Sequence, residues 1–410
     1  MLALKHLLAG LAIVPTLIGA APVDERCDCE KPAPKVFIIS MFAPEAEVWW
    51  GIPEFNLLAH NISIPGLSPL FPHVHCTENH EICQLITGES EINAATTISS
   101  VAFSDKFDLT STYFFIGGIA GINPEVATTG SVTFARYAIQ VALQYELDAR
   151  EIPSNWSTGY WAQGSYGPNQ YPESIYGTEV FEVNVNLRSK AVAFARKGNL
   201  TDSAQAASYR AQYLQGEGVN IYQAGAKPPS VVECDVATSD VYYTGNLLSE
   251  AFDNTTRIFT NGTGTYCSTA QEDNATLEVL TRAALHKKVD FARIIVMRTA
   301  SDFDRPYPGE DAAYHILYAN QDGFEIAIQN IYRAGVHVVQ GILNEWEETF
   351  KCGVKPDNYI GDIFGTLGGN PNFGPGREIA LKEGGALLTK RGSSVKKMRS
   401  MRKKGVVLRK

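Results

Sequence analysis

Long hydrophobic runs are scarce in this chain of 410 residues. A membrane-spanning helix needs about 20 consecutive apolar residues. Beyond the first twenty positions, the best run is "YFFIGGIAGI" from Tyr113 to Ile122, which is far shorter and rich in glycine. We therefore expect no membrane span in the body of the chain, because a spanning backbone must satisfy its polar groups within helices or a closed barrel.

Positive charge is also scarce, except at one end of the chain. The formal net charge is −9, yet the segment from Lys390 to Lys410 holds ten Lys or Arg and no acid, which leaves −19 elsewhere. An acidic body argues against nucleic acid as a partner. Self-repulsion and a low apolar content predict a disordered basic tail over residues 389–410. A patch that binds polyanions is the alternative interpretation of this tail.

The first twenty residues differ from the rest. "MLALKHLLAGLAIVPTLIGA" places Lys5 before an apolar stretch and ends in small residues, which is typical of a secretory signal peptide. Residues 21–34 are interpreted as an N-terminal spacer. Six acceptor sequences for N-glycosylation agree with a glycoprotein located outside the cell, in the cell wall or in the vacuole. Their asparagines are Asn61, Asn155, Asn199, Asn254, Asn261 and Asn274.

Seven cysteines leave at least one without an intramolecular partner. Cys76 and Cys83 are close enough in sequence to close a short loop, and an oxidising compartment favours a disulfide between them. A metal site within "HVHCTENHEIC" is the rival interpretation, but its spacing fits no familiar zinc pattern. No metal is therefore predicted.

Apolar runs alternate with amphipathic segments along the body of the chain. "KVFIISMF", "STYFFIGGIAGINP" and "FARIIVM" are typical of buried strands, the second one opening into a glycine-rich loop. Their alternation with helices predicts an α/β fold with a central mixed sheet covered by helices on both faces. One domain is expected over 35–388, with C-terminal helices over 323–334 and 336–350. The aromatic segment 150–178 is expected to form a lid or rim.

Polar residues follow several of these strands, where ligands collect in open α/β sheets. Glu45 and Glu47 follow the first strand, and "GGIAGINP" ends another. Ser239, Asp240 and Tyr242 follow a third. Ser301, Asp302 and Asp304 follow a fourth, and Glu272 begins a helix at the same edge.

These motifs resemble, in order, those of the nucleoside phosphorylase and nucleosidase superfamily, whose members cleave the bond between a purine and its ribose. The similar blocks are "FIISMFAPEAEV", "TGESEINAA", "GGIAGINPEVATTGSV", "AQEDNA" and "MRTASDFD". The wording "PEAEVWWGIPEFN", together with the signal peptide and the aromatic insertion, is most similar to the fungal purine nucleoside permease family. A nucleoside-phosphorylase-like domain is the fold that this resemblance implies.

The resemblance also implies roles for individual residues. Asp302 would protonate the leaving purine at N7, with Ser301 as its orienting neighbour, and Glu272 would accept hydrogen bonds from the ribose 2′- and 3′-hydroxyls. The family's methionine before this glutamate is Gln271 here, so the packing against the sugar is in doubt. Tyr242 would stack on the base. The backbone of the glycine-rich block, Gly118, Ile119, Ala120 and Gly121, would approach the ligand.

Each of these roles has a structural alternative. Asp302 could instead pair with Arg298 or Arg305, and Asp304 is the rival acid. Glu272 could simply favour a helix N-terminus, and Tyr242 could be a core tyrosine.

Glu47 bears on the choice between hydrolysis and phosphorolysis. The resemblance implies a water-activating glutamate near this position in nucleosidases and an arginine in hexameric phosphorylases. An acid can deprotonate water but repels phosphate. Hydrolysis is therefore favoured, although Arg136 or Arg298 could still supply a phosphate-binding cation. No cofactor is expected beyond water or phosphate as co-substrate.

Three functions remain open at this point. The first is an enzyme that binds and cleaves purine nucleosides for nucleoside uptake and salvage. The second is a non-catalytic nucleoside-binding protein that supplies a separate membrane transporter, and the third is a structural wall glycoprotein. A homo-oligomer is also open. If Glu272 lines a pocket, Asn274 should stay free of glycan, whereas Asn155, Asn254 and Asn261 should carry one.

Overall fold

The computed structural model describes residues 31–216, 219–376 and 378–379. The predicted signal peptide, most of the spacer and the basic tail lie outside the described residues. From Pro32 onward the described residues form one compact unit. Within the described ranges, no helix has the length and apolar character needed to cross a bilayer.

The strands are short except for two of ten residues each. In chain order they are β1 (Val36–Ser40), β2 (His60–Ser63), β3 (His73–Cys76), β4 (Ile82–Ile86), β5 (Tyr113–Ile122), β6 (Val132–Phe134), β7 (Tyr137–Gln140), β8 (Gln144–Glu146), β9 (Tyr160–Ala162), β10 (Val180–Glu182), β11 (Val231–Glu233), β12 (Asp235–Thr238), β13 (Tyr266–Ala270), β14 (Ile294–Phe303) and β15 (Gly361–Asp362).

The helices lie between these strands. They are α1 (Ala43–Glu47), α2 (Ser90–Ala102), α3 (Val185–Ala195), α4 (Ala204–Arg210), α5 (Asn246–Phe259), α6 (Asp273–Leu285), α7 (Ala312–Leu317) and α8 (Phe324–Asn344). Short 3₁₀ turns occupy 57–59, 211–214, 219–222 and 291–293, and a π-helical turn occupies 346–350.

One large mixed sheet organises the protein. Its order is β15-β10-β7-β12-β13-β5-β1-β4-β3-β2, with β14 pairing both β5 and β6, and β11 pairing β6. The pairs β1–β4, β1–β5, β5–β14 and β12–β13 are parallel, whereas β5–β13 is antiparallel. β8 and β9 form a separate two-stranded sheet. The predicted α/β class with a central mixed sheet is confirmed.

Alternate residues of β1 reach two different apolar cores. Phe37 and Ile39 pack with residues of α2 and α6, while Val36 and Ile38 pack with residues of α3 and α8. Successive side chains of a strand point to opposite faces of its sheet. Helices therefore cover both faces of the sheet at its centre, as predicted.

Three segments differ from the sequence-based prediction. The segment expected to form helices over 323–334 and 336–350 contains one continuous helix, α8, which ends at Asn344. The "GGIAGI" block is not a loop, because β5 continues through it to Ile122 and stays in register with β14. The aromatic insertion 150–178 contains β9 and packs Trp156 against Trp161, with ring centroids 4.8 Å apart. It does not line the cavity described below, so the structure shows neither the predicted lid nor the predicted rim at that cavity within this segment.

Two disulfides fasten neighbouring strands. Cys76 and Cys83 are bonded, as predicted, and they join β3 to β4. Cys234 and Cys267 form a second bond between the start of β12 and β13. Among the described cysteines, Cys352 is outside these bonds and exposed.

Candidate active site

A cavity of about 740 Å³ opens where the loops after β1, β12, β13 and β14 converge beside the second half of β5. This volume lies within the range of small-molecule sites, roughly 300–1,000 Å³. Seven acids line it, together with one arginine and one histidine from the described residues: Glu45, Glu89, Glu272, Asp302, Asp304, Asp322, Glu325, Arg298 and His315.

Asp302 lies at the end of β14, where the pairing with β5 shifts by one residue between Ala300 and Asp302. Such a bulge changes the direction of a side chain. The Tyr242 hydroxyl donates to Oδ2 of Asp302 at 3.1 Å, and the Ser301 hydroxyl bonds its Oδ1. Burial raises the pKa of Asp302 above its ordinary value, while these two hydrogen bonds oppose part of that rise. The carboxyl is therefore biased toward its protonated form.

The two arginines proposed as structural partners of Asp302 pair elsewhere. Arg298 pairs with Glu272 and Asp273. Arg305 pairs with Asp304 and with Glu125.

Asp304 is the rival acid in the sequence, and the structure fully engages it. Its Oδ2 also accepts a hydrogen bond from Tyr266 at 2.7 Å, and its side chain is completely buried. Protein donors therefore occupy both of its oxygens. Asp304 therefore has a structural role, and Asp302 is the acid that faces the cavity without an arginine.

Glu272 immediately precedes α6 and is held at both oxygens. The backbone N–H of Ser90 donates to Oε1 at 2.9 Å, and Arg298 Nη2 donates to Oε2 at 3.1 Å. Burial raises the pKa of Glu272, whereas Arg298 and the Ser90 N–H lower it. A preference for a helix N-terminus does not by itself explain Glu272, because this residue also contacts Ser90 and Arg298 and lines the cavity.

Glu45 is the acid that α1 presents to the same region. Its Oε2 accepts from Met41 N and its Oε1 from Ile119 N, both at 2.7 Å. Burial raises the pKa of Glu45 to about 8, with Arg298 lowering it and Glu272 raising it further. Glu45, Glu272 and Arg298 therefore form one coupled cluster at the base of the cavity.

Glu47 does not reach this cluster. It is exposed and does not line the cavity. Two residues along a helix turn the side chain by roughly 200°, because a turn takes 3.6 residues. Glu47 therefore lies outside the cavity for which its water-activating role was predicted, and Glu45 is the acid of α1 that lines it.

The glycine-rich block contributes a wall of β5. Ile119, Ala120 and Gly121 line the cavity. Gly118 lies just below, and a Cβ there would approach Glu45 Oε1 to 2.5 Å and Arg298 Nη1 to 2.9 Å. Gly118 is thus required for space around the acid cluster. Within this block, the N–H of Ile119 donates to Glu45 Oε1.

Tyr242 and Gln271 lie at the cavity as the motifs suggested. The Tyr242 side chain is 66% exposed, which excludes the core-tyrosine alternative. The charge of Asp302 raises the pKa of Tyr242, so its phenol stays protonated and remains a donor. Gln271 donates through Nε2 to Asp240 O at 3.2 Å, which fixes it at the rim.

Arg298 and Asp273 are the residues whose roles the sequence did not reveal. Arg298 is 3% exposed and donates to Glu272, to both oxygens of Asp273 and to Ile119 O. An arginine inside an apolar strand is costly unless it is paired. That cost was the available signal that a buried acidic partner had to exist.

Comparisons with known proteins assign the chain to a family. Residues 33–355 match the profile of the family described as Purine nucleoside permease (NUP). The chain belongs to this family.

A purine nucleoside permease of Candida albicans is 48% identical over 347 residues, which cover 83% of each chain. A probable purine nucleoside permease of Schizosaccharomyces pombe is 39% identical over 350 residues, covering 83% of this chain and 96% of that one. Among solved structures, a 5′-methylthioadenosine/S-adenosylhomocysteine nucleosidase of Neisseria meningitidis matches with a TM-score of 0.44 and 14% identity, covering 75% of this chain and 99% of that one.

Proposed function

We propose that this protein binds purine nucleosides in the acid-lined cavity and hydrolyses their N-glycosidic bond to a free purine and ribose. The ligand class is supported by the family, whose members carry purine nucleosides in their names. The proposed chemistry rests on one observation: two acids of the cavity, Asp302 and Glu272, have different partners. Asp302 lacks an arginine partner and is biased toward protonation, whereas Glu272 is held by a guanidinium and a backbone N–H.

The purine end of the substrate would lie against Asp302 and Tyr242. A purine leaves as a neutral molecule only if a ring nitrogen is protonated as the C–N bond breaks. A protonated Asp302 supplies that proton, and the Tyr242 ring offers an exposed face for the base. Proton transfer of this kind contributes roughly 10²–10⁴-fold.

The ribose would lie over Glu272 and Arg298. Each carboxylate oxygen of Glu272 has one protein donor and a second lone pair free. Those lone pairs suit the 2′- and 3′-hydroxyls. Developing positive charge on the sugar is favoured by the excess of acids around it.

Water is the nucleophile that this cavity favours. Ionised Glu45 would accept a proton from water as the oxygen bonds to the anomeric carbon, while the purine departs with the proton from Asp302. The cavity's arginine, Arg298, is already paired with two carboxylates. Arg136, the other candidate for phosphate, pairs with Glu182 and does not line the cavity.

The N-terminus of α2 also argues against phosphate. Helix N-termini are common phosphate sites. Here the N–H of Ser90 binds Glu272 and the N–H of Glu91 binds Asp240, each at 2.9 Å. The protein's own carboxylates therefore occupy the place that an anion would need.

A second candidate is a nucleoside-binding protein that performs no chemistry and supplies a separate membrane transporter. The word permease in the names of its relatives favours this candidate. The described part of the chain has no helix that could cross a membrane itself.

One assay separates these functions. Purified protein is incubated with adenosine, inosine and guanosine, with and without phosphate, beside an Asp302→Asn control. Free ribose formed without phosphate supports hydrolysis, and ribose 1-phosphate would support phosphorolysis instead. Binding with no product in any mixture would favour the second candidate.

A further inference from the structure

Both polar backbone atoms of Phe303, the residue after Asp302, are held by side chains. The Phe303 N–H donates to Gln321 Oε1 at 2.7 Å. The Phe303 carbonyl oxygen lies 3.0 Å from His315 Nε2. His315 belongs to α7 and Gln321 to the loop after it. One segment of the chain therefore contacts both polar backbone atoms of Phe303.

The side chains of His315 and Gln321 are themselves held in place. His315 and Gln321 are 4% and 8% exposed, and their Nε2 atoms lie 3.3 Å apart. His315 Nδ1 lies 2.7 Å from Glu310 Oε2, and the Tyr209 hydroxyl donates to the same oxygen at 3.0 Å. With Nδ1 facing a carboxylate and Nε2 facing a carbonyl, the ring orientation of His315 is determined.

The sheet holds this part of β14 less firmly than the rest. The register against β5 shifts between Ala300 and Asp302, so Ser301 is an additional residue in the ladder. The loop after α7 packs closely here, because a Cβ at Gly323 would collide with the carbonyl oxygen of Ser301. Contacts from the segment 310–323 thus replace part of the ladder next to Asp302.

We propose that His315 and Gln321 are positioning residues that hold the backbone of Phe303 and so fix the direction in which the Asp302 carboxyl points into the cavity. This role rests on the proposed function, in which Asp302 protonates the departing purine. Neither residue needs to touch the substrate. A small displacement of a general acid is costly, since misplacement by about 1 Å can lower a rate about a hundredfold.

Gln321→Ala and Gln321→Glu test the hydrogen bond between Gln321 and the Phe303 N–H. Gln321→Ala removes the acceptor of the Phe303 N–H, and we expect kcat to fall about tenfold to a hundredfold with KM changed less than about threefold. Gln321→Glu keeps an acceptor oxygen and should recover most of kcat. Asn184→Ala is the matched control, because Asn184 is fully buried, hydrogen-bonds the backbone at both ends of its amide and lies away from the cavity.

His315→Ala and His315→Gln test the second contact. His315→Ala removes the partner of the Phe303 carbonyl oxygen and should lower kcat as Gln321→Ala does, whereas His315→Gln retains an N–H donor and should recover part of kcat. A kcat in His315→Ala equal to that of the wild type would overturn the role of this contact.

Crystal structures of the variants keep the two proposals separable. In Gln321→Ala the peptide group between Asp302 and Phe303 should rotate, and Asp302 should lose its hydrogen bond to Tyr242. An Asp302 carboxyl that stays in place, or a kcat in Gln321→Ala equal to that in Asn184→Ala, would overturn the positioning role. A wild-type protein that cleaves no nucleoside would sink the proposed function alone, and the Asp302 geometry in the variant structures would still decide the positioning role.

Discussion

The backbone N–H of Ser90 donates a 2.9 Å hydrogen bond to Oε1 of Glu272, joining residues 182 positions apart. Ser90 opens α2 with a φ of 77°, a conformation that is uncommon for a residue other than glycine. This strained backbone conformation of Ser90 directs its N–H toward Glu272, an acid of the cavity, and strained residues often occur at functional sites. Arg298 holds the other oxygen, so Glu272 is oriented before any ligand arrives.

Because Glu272 is oriented in advance, we expect the protein to distinguish ribose from 2′-deoxyribose. Glu272→Gln should weaken adenosine binding, because its amide NH₂ would face a donor at either Ser90 or Arg298. Losing a charge-assisted hydrogen bond costs roughly 1.5–3 kcal/mol, or about tenfold or more in affinity. The wild type should likewise bind 2′-deoxyadenosine less well than adenosine, as measured by calorimetry.

Glu278→Gln is the control for this effect. Glu278 lies on the same helix and pairs with Arg282 outside the cavity, so its removal should leave both affinities unchanged. Equal affinity of the wild type for adenosine and 2′-deoxyadenosine would remove Glu272 from the ribose site.

Asp302→Asn should separate binding from chemistry. An amide keeps the shape and can still accept from Tyr242, but it cannot donate the proton that the leaving purine needs. We expect kcat to fall roughly 10²–10⁴-fold with nucleoside affinity nearly intact. Single-turnover release of adenine is the measurement. A variant within threefold of the wild type would end the assignment of Asp302 as the acid.

The strand ends were predictable from the sequence because apolar runs stop at them abruptly. "FARIIVM" leads into Ser301 and Asp302, and "SVVECDVATSD" leads into Asp240. These patterns were sufficient to place Asp302, Glu272 and Tyr242 at one edge of the sheet. What they could not show is which partners each acid takes, because pairs such as Arg298 with Glu272 depend on the fold.

Glycine misled the sequence-based interpretation in two places. Two helices were expected over 323–334 and 336–350, with Gly335 between them, yet α8 runs through this glycine. A Cβ there would come within 2.7 Å of the Trp49 ring. Gly118 suggested a loop, yet it lies in β5, where it leaves space for Glu45. Both glycines are explained by close packing, and neither by a turn.

The position of Glu45 predicts an unusual pH dependence. Burial raises the pKa of Glu45 to about 8, so the carboxylate needed to accept a proton from water is a minority form at neutral pH. The ionised fraction grows as pH rises through about 8, and kcat/KM should rise with it. A pH–rate profile of the wild type checks this, with Glu45→Gln expected to lose activity at every pH.

Glu47→Gln is the matched control, since Glu47 is an acid on the same helix that is exposed. Its profile should overlay that of the wild type. A rising limb confined to pH 4–5, or loss of activity in Glu47→Gln, would contradict the exchange of Glu47 for Glu45.

Glycan occupancy offers a test that needs no substrate. Asn274 is 2% exposed, and its Nδ2, the atom that would carry a glycan, donates to Thr178 O at 2.7 Å. Asn254 was expected to be modified, but its Nδ2 donates to Pro168 O at 2.9 Å and to Asn169 Oδ1 at 3.1 Å. From these contacts we expect both Asn254 and Asn274 to stay free of glycan, which for Asn254 differs from the expectation drawn from the sequence.

If the protein follows the secretory route that its N-terminal sequence predicts, Asn155 and Asn261, both exposed, should be occupied, and Asn254 and Asn274 should be bare. Peptide mass mapping after enzymatic deglycosylation reports each site separately. A glycan at Asn254 would displace only the segment around Pro168. A glycan at Asn274 would have different consequences, because Asn274 lies two residues after Glu272 in the first turn of α6. High occupancy there would place this turn outside the packed body and contradict the ribose site that Glu272 defines.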